Sequence, residues 1–135
     1  MHARLRSETG MMGKLVIVWL LLLALMCVSA VDTFSIMFTT FHVADAASRA
    51  ASAGVDAYAR TGSAPSACEE AATAIRAEDD TIKIPKKGFC TVDPQTGRIT
   101  ITVKKTAHTF LAGHLSFTKH YAQVVHTETV GPSSV

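Results

Sequence analysis

Two cysteines are the clearest candidates for chemistry in this chain. Cys68 and Cys90 both follow a long apolar segment, and a bridge between them would link two parts of the region beyond it. An even pair of cysteines outside the cytoplasm is typical of a disulfide, and the alternative is a pair of free thiols. We expect the disulfide, which stabilises the folded state by roughly 3 kcal/mol on the chain-entropy model. The third cysteine, Cys27, falls inside the apolar segment and is expected to be an inert apolar residue.

Four histidines recur at a constant spacing towards the C-terminus. They are His108, His114, His120 and His126. An even spacing would place them on one face of a strand, and imidazole is a common metal ligand. However, Gly113 interrupts the pattern, and no cysteine or acid joins the histidines at ligand spacing. We therefore favour scattered surface histidines and predict no metal site.

The remaining polar residues carry no catalytic pattern. The sequence contains no nucleophile elbow, no zincin or Walker motif and no CxxC. The net charge is +2 without a long basic run, whereas nucleic-acid binding requires a basic face with interleaved aromatics. We predict a protein that is not an enzyme, with no catalytic residue, cofactor, small-molecule substrate or nucleic-acid partner.

A long apolar segment dominates the N-terminal part of the chain. Leu15 to Val31 holds no charged residue, and apolar character resumes as far as Phe41. About 20 apolar residues span the roughly 30 Å hydrocarbon core of a bilayer, where the backbone must form a helix. The prediction is a cytoplasmic tail at residues 1–14, a transmembrane helix at residues 15–36 and an external domain at residues 37–135.

The charges on either side of this segment predict its orientation. Arg4, Arg6 and Lys14 precede it, whereas the first charge after it is Asp32. Positive charge stays on the cytoplasmic side, so we expect a single-pass protein of the cell membrane with its C-terminal domain outside. Asp32 either lies at the lipid–water boundary or pairs with a partner inside an assembly.

A cleaved secretory signal is the alternative interpretation of the same segment. A basic start, an apolar middle and the small residues Val28-Ser29-Ala30 fit such a signal. Cleavage after Ala30 would leave an apolar new N-terminus running to Phe41, which is unusual for a soluble protein. We therefore favour a retained membrane helix.

An alanine-rich stretch without proline follows and predicts a continuation of the same helix, from about Gly13 to Thr61. Its polar face consists of Asp45, Arg49, Ser52, Asp56 and Arg60. Its other face is small and permits close helix packing, and consists of Val43, Ala47, Ala50, Gly54 and Tyr58. We expect the part from Val43 to Ala50 to contact partners, and the part from Gly54 to Tyr58 to pack against this chain itself. Gly62 is a suitable C-terminal cap.

The rest of the external domain predicts a second helix and a small sheet. Ser66 and Glu69 form a capping box for a helix at residues 66–78. Residues 81–130 are β-rich. The strands expected there are Phe89–Val92, Ile99–Val103 and Tyr121–Val130, with a hairpin loop at Asp93–Gly97, a short strand at Thr81–Ile84 and a turn of helix at Thr109–Ala112. The fold class is therefore α+β: a long N-terminal helix, a short second helix and a small C-terminal antiparallel sheet.

This layout resembles the TadE/TadG-like proteins, pseudopilin-like components of the tight-adherence (Flp) pilus machinery. The resemblance rests on the basic start, the membrane helix that continues into FHVADAASRAASAGVDAYART, and the TITV strand. Neither Gly10 nor Gly13 is followed by the glutamate of prepilin cleavage sites, so no site residue is carried over. The resemblance implies a non-enzymatic envelope component that contacts the lipid bilayer and other pilin-like or secretion-system membrane proteins. The alternative is a secreted or anchored ligand-binding module that uses the β-rich end.

Overall fold

The computed structural model describes residues 5–110 and 122–132, with side chains from residue 12 onwards. Two helices precede three strands in the chain. The elements are α1 (Leu5–Thr61), α2 (Ala64–Glu78), β1 (Cys90–Val92), β2 (Ile99–Thr106) and β3 (Gln123–Val130). The α+β architecture with a long first helix, a short second helix and an antiparallel sheet agrees with the sequence-based prediction.

Helix α1 is a single element of 57 residues, about 85 Å long at 1.5 Å per residue. It begins at Leu5 rather than near Gly13, because neither Gly10 nor Gly13 ends the helix once it has formed. Its C-terminal end is as predicted. Gly62 adopts a left-handed conformation (φ 66°), and its N–H donates to the Tyr58 carbonyl at 2.7 Å.

Helix α2 begins at Ala64, two residues before the predicted start at Ser66. Its N-cap is Ser63, whose side chain accepts a hydrogen bond from the Ser66 N–H at 3.5 Å. The capping-box prediction for Ser66 and Glu69 is therefore wrong, since Ser66 lies inside the helix. Pro65 explains the difference, because its fixed φ and missing N–H suit the first turn of a helix.

The three strands form one antiparallel sheet in the order β1-β2-β3. The hairpin between β1 and β2 lies where it was predicted. Asp93 accepts hydrogen bonds from Gln95 and Thr96, and Gly97 provides the left-handed position (φ 66°). The hydrogen bond from the Thr96 hydroxyl is the main reason why the pKa of Asp93 is lowered.

Several predicted strand boundaries change. β1 begins at Cys90 rather than Phe89, β2 runs on to Thr106, and β3 begins at Gln123. The strand expected at Thr81–Ile84 is reduced to one bridge between Lys83 and Lys104. Thr109 and Phe110 are not helical, and the other residues of that predicted turn lie outside the described residues, as does Tyr121.

The core lies between α1, α2 and one face of the sheet. Alternate residues of β2 point into it, namely Ile99, Ile101 and Val103, all without exposed surface. β2 runs antiparallel to α1, because Ile99 lies beside Gly54, Lys105 lies near His42, and the residues after β2 reach Asp32. The C-terminal end of β2 therefore points towards the apolar segment of α1.

Candidate functional site

The outer surface of α1 is apolar from Leu15 to Phe41, which is close to half of its length. The large side chains from Leu15 to Val31 are mostly exposed, and this helix alone among the described residues is long and apolar enough to cross a membrane. Such a helix near the N-terminus is compatible with a membrane anchor or with a signal sequence.

The apolar surface continues into the part of α1 that carries the domain. Four large side chains form what we call the apolar stripe, which consists of Phe34, Met37, Phe38 and Phe41, each more than half exposed. Hydroxyl groups beside the stripe donate to the carbonyl four residues earlier, as Thr33 does to Ser29 and Thr40 to Ile36. The polar groups of this surface are thus satisfied within the helix, as a lipid environment requires.

Asp32 interrupts the apolar segment and is covered by the chain itself. It is only 6% exposed, and its carboxylate accepts a hydrogen bond from the Phe110 N–H at 2.6 Å. One turn further along α1, the Ser35 hydroxyl donates to the His108 carbonyl at 2.5 Å. The segment after β2 therefore docks onto α1, so Asp32 has a partner in its own chain. Neither sequence-based interpretation of Asp32 anticipated this contact.

Among the described residues of the docked segment, Phe110 lies nearest to the N-terminal end of α1. Its side chain is 69% exposed and forms a shallow apolar cleft with Cys27, Val28 and Val31. Cys27 is a free, exposed cysteine, as expected for an apolar residue of the segment. The domain thus extends along α1 as far as residues that were predicted to lie within the membrane.

A second polar junction lies further along α1 and joins three elements. Asp79 lies at the C-terminal end of α2. Its carboxylate Oδ2 contacts the ammonium group of Lys105 on β2 and lies 3.0 Å from Nε2 of His42 on α1. Its other carboxylate oxygen accepts hydrogen bonds from the Thr81 N–H at 2.8 Å and the Thr81 hydroxyl at 2.6 Å. The side chains of Asp79 and Lys105 are only 12% and 18% exposed.

The charge state of Asp79 follows from these contacts. Burial by itself would raise the pKa of Asp79, but the hydrogen bonds from Lys105 and Thr81 outweigh it. The pKa is therefore held well below its ordinary value of 3.8. Asp79 acts as an ionised clamp between α1, α2 and β2, and no sequence motif marks it.

We expect the stability of the domain to fall in acid because of this clamp. A carboxylate with a lowered folded-state pKa stabilises the fold above its unfolded-state pKa, and this contribution is lost as the pH decreases below about 4. Asp79→Asn should cost about 2 kcal/mol at neutral pH, because Lys105 loses its charged partner. Chemical unfolding of the full chain in detergent at several pH values measures both effects.

The matched control for this prediction is Asp80→Asn, which removes the neighbouring carboxylate at an exposed position. It should leave the stability and its pH dependence nearly unchanged. If Asp79→Asn and Asp80→Asn unfolded alike at every pH, the proposed clamp would be wrong.

The two described histidines of the series, His108 and His126, have separate partners. His126 lies 3.0 Å from Glu128 on the same strand, and His108 contributes its backbone carbonyl to Ser35. His114 and His120 lie outside the described residues. Within the described part of the chain, no group of three potential ligands is close enough to hold a metal ion.

The predicted helix-packing face lies inside the domain. Val43, Ala47 and Ala50 have no exposed surface, Gly54 is buried, and Tyr58 packs against the same core. The expectation that Val43 to Ala50 contacts partners is therefore wrong. The sheet and α2 extend far enough along α1 to cover these residues.

The predicted cysteine pair is joined in the structure. Cys68 and Cys90 form a disulfide that ties α2 to β1. Because β1 is only three residues long, the bridge fixes an element that has few hydrogen bonds of its own. The described residues thus show a disulfide that joins α2 to β1 and two polar junctions that position the domain on α1.

No protein-family model matches this chain, and no curated protein or solved structure is detectably similar to it.

Proposed function

We propose that this protein is a membrane-anchored structural component of a cell-envelope assembly, of the minor pilin-like type found in tight-adherence pili. The observation that carries the proposal is the continuity of α1. One helix provides both the exposed apolar segment and the buried face on which α2 and the sheet pack.

Two features support anchorage over cleavage. Cleavage after Ala30 would expose the apolar stripe to water at the start of the mature chain, at a cost of roughly 25 cal/mol per Å² of apolar surface. In addition, Phe110 lines a shallow apolar cleft together with Val28 and Val31, which lie on opposite sides of Ala30. Removal of the segment would take away one wall of this cleft.

The assembly role rests on which side of α1 remains available. The small-residue face is used within the chain, so we assign partner contacts to the exposed apolar side. A pilin-like protein packs such a helix against lipid and against the helices of neighbouring subunits. The described residues supply rigid positioning by the Asp32 and Asp79 junctions and the disulfide, which suits a structural part.

Topology provides the first test. A reporter that is active only outside the cytoplasm should work when fused after Val135 and fail when fused at Lys14, because the positive charges precede the apolar segment. Intact mass of the membrane fraction should correspond to the uncleaved chain. Activity of the Lys14 fusion would contradict the orientation, and a mass starting at Val31 would contradict the anchor.

The assembly role is tested in the same membranes. Extraction in a mild detergent should yield a complex with other single-pass envelope proteins that have long helices. Migration of the wild-type chain as an isolated monomer, with the anchor intact, would contradict a structural role in an assembly.

A further inference from the structure

Two lysines face each other on the outer surface of the sheet, and two more follow within four residues of the first. Four exposed lysines form what we call the lysine cluster, which consists of Lys83, Lys86, Lys87 and Lys104. Lys83 is directly opposite Lys104, joined to it by backbone hydrogen bonds of 2.7 and 3.0 Å. Residues that are directly opposed share a face of the sheet, and like charges there destabilise the pairing. The cluster is therefore suited to an external anion.

The acids that precede the cluster in sequence leave it positively charged. Asp79 is neutralised by its ion pair with Lys105, which also removes Lys105 from the exposed set. Glu78 lies 3.5 Å from Arg49, on the other side of the junction. Asp80 is the remaining neighbouring acid of this segment, against the four lysines of the cluster.

The height of the cluster along α1 can be estimated from the Asp79 junction. Lys105, the neighbour of Lys104, meets His42 of α1 through Asp79. Six residues of helix separate His42 from Ile36, the predicted end of the membrane helix, which corresponds to about 9 Å. The headgroup layer of each leaflet is about 5–7 Å thick, and a lysine side chain is long enough to reach it from this height.

The segment that follows β2 leads from Lys104 towards the apolar segment of α1. The segment after β2 reaches Asp32, and the exposed ring of Phe110 lies beside Val28 and Val31. Along the axis of α1 the order is thus lysines first and an exposed aromatic ring nearer the apolar segment. A bilayer presents phosphate groups and acyl chains in the same order.

We propose that the lysine cluster binds the headgroups of anionic phospholipids in the leaflet on which the external domain stands, with the ring of Phe110 among the acyl chains beneath them. This inference rests on the membrane anchorage proposed above. Headgroup binding would fix the orientation of the domain relative to the bilayer, since a single membrane helix can tilt as a whole and carry the domain with it.

The test measures how fast each lysine is acylated in a lipid bilayer. The full chain is placed in nanodiscs of phosphatidylcholine, or of phosphatidylcholine mixed with phosphatidylglycerol, and treated with a water-soluble acylating reagent. Peptide mass spectrometry then gives a rate for each lysine. We expect the four lysines of the cluster to react several-fold more slowly in the anionic bilayer, because headgroup phosphates cover their ammonium groups.

A lysine far from the membrane serves as the control. Arg60→Lys places a reactive amine at the membrane-distal end of α1, at an exposed position. Its acylation rate should be the same in both bilayers. The double variant Lys83→Gln/Lys104→Gln should largely remove the protection of Lys86 and Lys87 in the anionic bilayer.

Three outcomes would overturn the headgroup site. The first is equal rates for the cluster in the two bilayers. The second is protection in phosphatidylcholine nanodiscs by inorganic phosphate alone, which would indicate a site for soluble anions. The third is equal slowing of the lysine at position 60. Each is scored on chains whose intact mass includes the apolar segment, so these outcomes are distinguished from a failure of the anchor itself.

Discussion

Cys90→Ser is expected to lower the free energy of unfolding of the domain that packs on α1 by about 3 kcal/mol. The disulfide closes a loop with a sequence separation of 22, and its loss gives the unfolded chain more conformational freedom. The folded state also loses the link between α2 and a three-residue strand. For a domain of this size the melting temperature should fall by about 10 °C or more, measured on the full chain in detergent.

The free cysteine provides the control for this experiment. Cys27→Ser changes the exposed apolar segment without touching the domain core, so the melting temperature should stay the same. Reduction of the wild-type disulfide should reproduce the effect of Cys90→Ser. Identical melting of the wild type and Cys90→Ser would show that the bridge does not contribute to stability.

Gly54→Leu is expected to destabilise the domain by about 3 kcal/mol. A Cβ atom at position 54 would lie 3.1 Å from Cδ1 of Ile99 and 3.2 Å from the carbonyl oxygen of Ala67. The carbonyl oxygen is backbone and cannot move without shifting α2. The further carbons of leucine therefore separate α1 from both α2 and β2, and chemical unfolding of the full chain measures the loss.

Ser52→Leu is the matched control, since it introduces the same side chain two residues away on the exposed face of α1. Its effect on stability should stay within about 0.5 kcal/mol. Ala50→Leu should resemble Gly54→Leu, because Ala50 has no exposed surface. If leucine were tolerated equally at all three positions, the close packing of α1 against the rest of the domain would be wrong.

These two predictions concern features that local sequence patterns indicate in part. The alanine-rich repeat predicts that one face of α1 is small, because helical periodicity places Val43, Ala47, Ala50 and Gly54 on one side. What covers that face depends on the length of the sheet and its direction relative to α1. For this reason the expected division between partner contact and self-packing at Ala50 was wrong.

The helix ends also include one feature that was predicted correctly and one that was not. Gly62 ends α1 as predicted, because a left-handed residue after a long alanine-rich helix is a local requirement. For the start of α2 a capping box at Ser66 was predicted, whereas the structure has an N-cap at Ser63. The N-cap at Ser63 is favoured because Pro65 then occupies the first turn, where it costs no hydrogen bond.

The sequence by itself determined the long apolar helix, the paired cysteines, the hairpin at Asp93–Gly97 and the α+β order of elements. Each of these follows from residues that are close in sequence, because periodicity, turn chemistry and composition act over short distances. Only the tertiary structure decided the two junctions at Asp32 and Asp79. Their partners, Phe110 and Lys105, come from distant parts of the chain. A buried carboxylate is stabilised by whichever donors the fold brings to it, and no local pattern specifies those donors.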